Sequence, residues 1–431
     1  MQDLKIEDFE RRPVPPSVRK SWWSISLVWI AIGIDLSAML LGAELGGGMD
    51  FQSALLAVFV GSLFLGVLAS FCAYIGAATG LSTSMISRFA FGEYGARIVS
   101  VIIGVSLLGW FGVQAGFFAE NAYAAVEHLF GVSVSTKWLA LFGGLLMMTT
   151  AIYGYRAIER LSVYSVPFLV ALILLAMSLA FYQQGSGALF EATDNTFSFG
   201  AATSLVIGIF VLGAMISPDV SRWAKSRKDA VLAAFFGFFV GNSFMLIMAI
   251  ILSKVLHTDD LTYVFFAVGL GIPALLVLTL AQWTTNTNNL YSSSLGFSVV
   301  FRRTSKVVIT IVAGLVATML AVFGIYDRFI TFLSIMTMFI APVGGIYTAE
   351  YYLINKKRFS FENEHIVKLN VCAVIAWVVS TFISYMTTDA PDGLALFTLT
   401  SVPALDGFLS AFAIQTLLSL LIRNEKWKVV K

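Results

Sequence analysis

Gln52-Ser-Ala-Leu-Leu-Ala-Val-Phe-Val-Gly-Ser-Leu-Phe-Leu-Gly-Val-Leu-Ala-Ser-Phe-Cys-Ala-Tyr-Ile-Gly-Ala-Ala78 contains no Asp, Glu, Lys, Arg or His. At about 1.5 Å per residue, a helix of this length crosses the roughly 30 Å hydrocarbon core of a bilayer. The run is continuous rather than alternating, so it reads as a helix and not as a strand of a membrane barrel. The pattern recurs along the chain, predicting about twelve spans at 22–45, 52–78, 98–126, 138–154, 161–183, 200–217, 230–254, 272–298, 306–325, 330–352, 368–387 and 404–422. Composition agrees: 58% of residues are hydrophobic and 12% charged, against roughly a quarter charged in soluble domains. The expectation is an all-α integral membrane protein with no soluble domain and with the bilayer as its surroundings.

Orientation is read from Lys and Arg, which favour the cytoplasmic side. With the N-terminus inside, 24 of the 27 fall on inner segments and only Lys137, Lys254 and Arg328 on outer loops. Both termini are then cytoplasmic, as in a multi-pass protein of a bacterial-type inner membrane. The stretch 1–21, with Pro13, Pro15 and Pro16, lacks the form of a cleavable signal, so span 1 is expected to be retained. A net charge of +2 is an orientation signal and gives no reason to expect nucleic acid. Cys72 and Cys372 lie in apolar spans and His128, His257 and His365 in expected loops. That leaves no disulfide framework, cofactor site or histidine metal cluster, and nothing in the residues calls for an obligatory protein partner.

Polar residues at mid-membrane mark the working interior, because they are costly unless they face protein or water. Asp35 lies in Ala31-Ile-Gly-Ile-Asp-Leu-Ser-Ala38, where Gly33 weakens span 1 and Ser37 can satisfy freed backbone groups. It either caps a helix structurally or meets substrate or coupling ion. Span 6 carries a second interruption, Gly208 and Gly213 followed by Ser217-Pro218. Two interrupted spans five helices apart are the trace of inverted five-helix repeats whose broken helices meet at a binding site. In Gln282-Trp-Thr-Thr-Asn-Thr-Asn-Asn-Leu-Tyr-Ser-Ser-Ser294, only Trp283 and Leu290 lack an amide or hydroxyl. Gln282, Thr285, Asn286, Asn289, Ser292 and Ser293 share one helical stripe. The run is a polar zipper between helices or a lining, and the hydroxyls of Thr284 and Thr285 near the Ala281 carbonyl are hard ligands suited to an alkali cation. In span 3, Trp110 and Gln114 are one turn apart. An indole beside an amide suits a flat heterocycle, with stacking worth about 1–3 kcal/mol, although helix packing explains the same pair. Glu120 is a weaker candidate near the outer interface.

Together with Pro13-Val-Pro-Pro-Ser-Val-Arg-Lys20, Gly76-Ala-Ala-Thr-Gly-Leu81, Ser87-Arg-Phe-Ala-Phe-Gly92, Gly109-Trp-Phe-Gly112, Gly241-Asn-Ser243, Trp283-Thr-Thr-Asn286, Leu290-Tyr291, Leu295-Gly-Phe297 and Pro342-Val-Gly-Gly345, these segments resemble the nucleobase–cation symporter family (purine/cytosine permeases), nearest its bacterial cytosine permeases. The resemblance spans nearly the whole chain. It implies a LeuT-type fold: a first five-helix repeat over 22–183, a second inverted repeat over 200–352, a cytoplasmic loop 353–367, two extra helices over 368–422 and a cytoplasmic tail 423–431. It implies a heterocycle between Trp110 and Phe210 with Asn286 touching it, and sodium held by Ala31 and Ile34 with Ala281, Thr284 and Thr285. Leu107 and Leu212 stand where the family's cytosine permeases are polar, while Gln114 matches an amide of its hydantoin transporters and Asp35 replaces an aromatic. A purine or pyrimidine is therefore expected as substrate, with hydantoin- or allantoin-like ureides and pyridoxine open, and proton coupling through Asp35 as the alternative to sodium.

A channel would show a filter motif or rings of like charge, and an enzyme would need a nucleophile, metal or acid–base constellation. Neither is visible. A non-transporting membrane sensor is the rival of a different class, and it would ordinarily carry an output domain.

Overall fold

The computed structural model describes residues 8–191, 193, 196–258, 265–357, 359 and 366–429. Apart from an isolated bridge between Lys20 and Ala224, the described elements are helical. They are α1 (Trp22–Gly33), α2 (Leu36–Gly48), α3 (Phe51–Thr79), α4 (Thr83–Phe130), α5 (Thr136–Ile152), α6 (Tyr155–Gln184), α7 (Phe199–Met215) and the short α8 (Pro218–Ser221). Next come α9 (Arg227–Leu256), which passes through a π-turn at Gly237–Gly241, and α10 (Gly271–Val300), α11 (Lys306–Val322), α12 (Phe329–Ala349), α13 (Val371–Thr387) and α14 (Pro403–Val429). Each expected span coincides with one of these helices or with a pair of them. Five described helices are long and apolar enough on their own to cross a membrane, six with the bent pair α1 and α2 counted as one. Four more apolar helices are shorter.

Two breaks organise the interior. Span 1 bends by 58° between α1 and α2, with Ile34 at φ −92°, ψ 80° and Asp35 extended. The bend follows a close crossing: a β-carbon on Gly33 would lie 2.7 Å from the Gly241 carbonyl carbon. The second break falls at the Ser217-Pro218 pair of span 6 and not at its glycines. Helix α7 runs through Gly208 and Gly213 to Met215, and the chain turns at Ile216 and Ser217 before Pro218 starts α8. The missing amide hydrogen of proline costs nothing at a helix start. Asp219 of α8 accepts from Thr83 N at 2.7 Å.

Packing sorts the helices into two sets. Helices α1–α3 pack with α7–α9, while α4 and α5 pack with α10 and α11. Helix α6 touches both sets, as does α12, which contacts α4 and α7. Each set thus draws on both halves of the chain. Helix α4 begins well before the expected 98, because its first turns lie along an amphipathic stretch and a kink at Gly92 (φ 77°) joins them to the apolar part. A side chain at Gly92 would be strained at this φ and would meet the Val367 carbonyl oxygen at 2.7 Å.

The N-terminal segment is tied down by residues from both sets. Asp8, 3% exposed, pairs with Lys306 at 2.5 Å and accepts from Tyr155 N at 3.0 Å. Fully buried Arg222 donates to the carbonyls of Asp8 and Phe9 and to the Tyr291 hydroxyl, at 2.7–2.8 Å. Arg11 donates to the Ser298, Phe301 and Thr304 carbonyls, and Arg19 to those of Val14 and Ala77. Lys20 and Ala224 form the isolated bridge.

Because a Gly33 side chain has backbone as its neighbour, Gly33→Ala should destabilise the protein by about 1–3 kcal/mol, the usual penalty of overpacking. Denaturant unfolding in micelles checks this. A wild-type midpoint would refute the close crossing.

Candidate functional site

Breaking a helix inside a membrane frees backbone groups that need partners. At the α1–α2 break the partner is Asp35, whose Oδ1 accepts from Ala38 N at 2.8 Å as the N-cap of α2. Its Oδ2 accepts from Ser37 Oγ at 3.0 Å and from Gln114 Nε2 at 2.9 Å. An ionised carboxylate only accepts, so Gln114 presents its amide nitrogen to Asp35 and its oxygen to the other side. There Gln282 Nε2 donates to Gln114 Oε1 at 2.7 Å and to the Gln114 main-chain oxygen at 2.9 Å. Gln282 Oε1 then accepts from Leu36 N at 3.3 Å. The circuit leaves the break through α4, crosses to α10 and returns to the break, and Asp35, Gln114 and Gln282 are each 0% exposed. Among the described residues, no basic side chain forms an ion pair with Asp35.

Just before the break on α1, and within a turn of Gln282 on α10, lies an oxygen cluster. Thr284 Oγ1 is 3.2 Å from the Ala31 oxygen, 2.9 Å from that of Ala281 and 3.1 Å from that of Leu280. A hydroxyl has one hydrogen to share among these carbonyls, so the cluster is rich in acceptors. Thr285 Oγ1 points to the Ile32 oxygen at 3.3 Å, a residue that pattern reasoning did not single out. Ile34 takes the non-helical conformation at the break. Ala31, Ala281, Thr284 and Thr285 therefore face the same α1–α10 contact, and their donor set of hard oxygens fits an alkali cation.

The expected ring contacts are all buried. Trp110 is 7% exposed and lies 6.3 Å from Phe332, tilted by 31°. Phe210, also 7% exposed, meets Phe238 edge-on at 6.5 Å, and Phe238 in turn packs on Trp29 at 4.7 Å. Leu107 and Leu212 are 1% and 8% exposed. Asn286 is engaged in helix packing: its Nδ2 donates to the Phe111 oxygen at 3.1 Å, and its Oδ1 accepts from Asn289 at 3.3 Å.

Other expectations are redistributed. Glu120 accepts from the Tyr326 hydroxyl at 2.5 Å, away from the break. His128 is in the last turn of α4 rather than in a loop, its ring 4.3 Å from Phe266, because the helix continues to Phe130. His257 caps α9 in the left-handed conformation, and His365 lies outside the described residues. Lys254, expected in an outer loop, is buried near the end of α9 and donates to Thr193 Oγ1 at 2.9 Å. It lines a cavity of about 560 Å³ with Glu44, Glu191, Thr196 and Ser253, none of which belongs to the expected site.

A family model described as permease for cytosine/purines, uracil, thiamine and allantoin matches residues 13–410. The chain belongs to this permease family. It is 34% identical over 372 residues to the cytosine permease of Escherichia coli (strain K12), covering 86% of this chain and 87% of that one. It is 22% identical to the hydantoin permease of Microbacterium maritypicum, covering 89% and 85%. Among solved structures it resembles Mhp1, a nucleobase-cation-symport-1 family transporter, in a closed conformation with bromovinylhydantoin bound. The TM-score is 0.80 at 18% identity, covering 98% of this chain and 96% of that one. It also resembles a Na+-coupled sialic acid symporter, with TM-score 0.69 at 13% identity, covering 97% and 93%. This permease is therefore a multi-pass membrane transporter with the all-α LeuT-type fold, and not an enzyme.

The circuit makes a specific demand on the permease. Gln114→Leu and Gln282→Leu should each destabilise it, and their effects should be non-additive by about 1 kcal/mol, within the range for hydrogen bonds between membrane helices. A double-mutant cycle on denaturant unfolding reads this coupling directly. Strict additivity would break the circuit.

Proposed function

We propose that this permease imports a small nucleobase-like heterocycle by cation symport, with sodium at the α1–α10 contact and the ring between Trp110 and Phe210. The observation that carries the reading is the pairing of the oxygen cluster at Thr284 with the lone buried carboxylate of Asp35. Among the described residues Asp35 is a buried carboxylate without a basic partner, a charge that a cation offsets, and the cluster offers that cation hydroxyl and carbonyl oxygens. Ala31, Ile34, Ala281, Thr284 and Thr285 supply its oxygen ligands. The circuit of Gln114 and Gln282 joins that cation to the helix that carries Trp110, which gives coupling a physical route.

Transport follows from alternating access. Sodium stabilises the α1–α10 contact in an outward, substrate-competent state; the ring then stacks between the aromatics, and rocking of one helix set against the other opens the site inward. Each set draws on both inverted repeats, over 22–183 and 200–352, and both termini lie on the cytoplasmic side of the inner membrane. Sodium drives the cycle only if it binds that state better than the alternatives. The apolar walls of Leu107 and Leu212 leave Asp35, Gln114 and Asn286 as the polar groups near the ring, which favours substrates rich in N–H donors. Purines and pyrimidines fit this description. Hydantoin- or allantoin-like ureides and pyridoxine fit it too, and relatives of this chain include an allantoin permease of Bacillus subtilis and a vitamin B6 transporter of Saccharomyces cerevisiae. Asp35 also supports a second reading, in which a proton neutralises the carboxylate in place of sodium.

Thermal unfolding of the purified protein with cytosine, uracil, hypoxanthine, hydantoin, allantoin and pyridoxine, each in sodium and in choline chloride, tests the reading by mass action. One ring should raise the melting temperature in sodium, and Thr284→Val should lose that sodium dependence while Trp110→Ala loses the response to the ring. A shift that is equal in choline and depends on pH would favour the proton. No shift with any ring in folded protein would overturn the heterocycle assignment.

A further inference from the structure

Away from the interior, the surface between α3, α9 and the end of α12 carries a groove of about 440 Å³, lined by Val67, Phe71, Tyr74, Val231, Phe235 and Tyr352 together with Ser70 and Lys357. Its walls are almost wholly apolar, as befits a face turned to hydrocarbon. One end differs. Arg227 and Lys357 both stand over the ring of Tyr74, at 5.6 and 5.4 Å from its centroid, and Lys357 also lies 5.6 Å from that of Tyr352. Arg227 Nη1 approaches the Tyr74 hydroxyl at 3.4 Å. Among the described residues, neither cation is in a salt bridge.

The backbone holds this arrangement. A π-turn over Glu350–Ile354 ends α12 and sets Tyr351 and Tyr352 edge to face at 5.1 Å. The Tyr352 hydroxyl then donates to the Phe71 oxygen at 2.8 Å. Lys356 and Lys357 follow in the left-handed region, at φ 48° and 66°, with Lys357 N donating to the Tyr351 oxygen at 2.7 Å. Non-glycine residues adopt that region at a cost. Here it places a lysine at the mouth of the groove.

We infer that this groove is a binding site for one anionic phospholipid, an acyl chain lying along Val67, Phe71 and Phe235 and the phosphodiester held by Arg227 and Lys357. Charge complementarity selects the occupant: two cations without carboxylate partners among the described residues sit at the end of an apolar slot, on the same end of the molecule as Arg222 and Lys225. A basic pocket between membrane helices at a headgroup level recognises this lipid chemistry. A zwitterionic lipid fills the slot but brings its own ammonium to the cations.

Native mass spectrometry of the full chain released from micelles with phosphatidylglycerol or phosphatidylcholine tests this, with melting temperature read in parallel. Wild type should retain phosphatidylglycerol in preference to phosphatidylcholine, and inorganic phosphate should not shift the melting temperature. The double variant R227Q/K357Q should weaken phosphatidylglycerol retention by about 25-fold, on the order of fivefold for each basic residue near a lipid surface. K225Q/K228Q, an equal loss of charge at the same end of the molecule, should not. Val67→Trp, which fills the slot and keeps both cations, should also weaken retention. Equal retention of the two lipids by wild type, unchanged retention in both R227Q/K357Q and Val67→Trp, or a phosphate-induced shift of the same size would overturn the site.

Discussion

A helix broken inside a bilayer needs a partner for its freed backbone, and in this molecule the partner is Asp35. Its carboxylate caps α2 through Ala38 N and takes two further hydrogen bonds, from Ser37 and from Gln114. Gln114 belongs to α4 and is itself gripped by Gln282 of α10. One capping interaction thus holds three membrane helices in register. The features placed around it, including the oxygen cluster at Thr284 and the burial of Trp110, sit within about a turn of this circuit along their own helices.

This arrangement has an electrostatic logic. The described surroundings of Asp35 donate hydrogen bonds but bring no positive charge, and the cluster near Thr284 sets one hydroxyl among three carbonyl oxygens. Hydrogen bonds to a buried anion offset part of its desolvation, and a nearby cation offsets more. Along the chain the two lie about a turn apart, Ala31 before the break and Asp35 at it.

Much of this was legible before any coordinates. Apolar length located the spanning part of each helix, since a bilayer requires it, and Gly33 with Asp35 announced the first break. The hydroxyl pair Thr284 and Thr285 was conspicuous as polar chemistry in a span. The partnership of Gln114 with Gln282 was not, because helical periodicity says which residues share a face and leaves open which foreign helix that face meets. For the same reason Asn286 could be placed on the polar stripe while its bonds to Phe111 and Asn289 could not be foreseen. Of the residues read as the second interruption, Ser217-Pro218 mark the break and the glycines do not. Gly208 and Gly213 are accommodated within α7, and the turn waits for the residues before Pro218, where the ring is compatible with starting a helix but not with continuing one. The start of α4 was missed because its first turns are not apolar enough to register as a span.

The N-terminal segment looked like an unremarkable polar leader, yet it is stitched to α10, to α11 and to the turn after α8 through Arg11, Asp8 and Arg222. The two helix sets are therefore laced together at their basic end by a piece of chain that belongs to neither. Separating them there means either unthreading Asp8 from Lys306 and Tyr155 or letting the lace travel with one set and tear from the other. Hydration of the released ion pair repays part of that work. In such a design the work of opening this end is set by residues outside the proposed substrate site, so affinity for cargo and ease of opening can change independently.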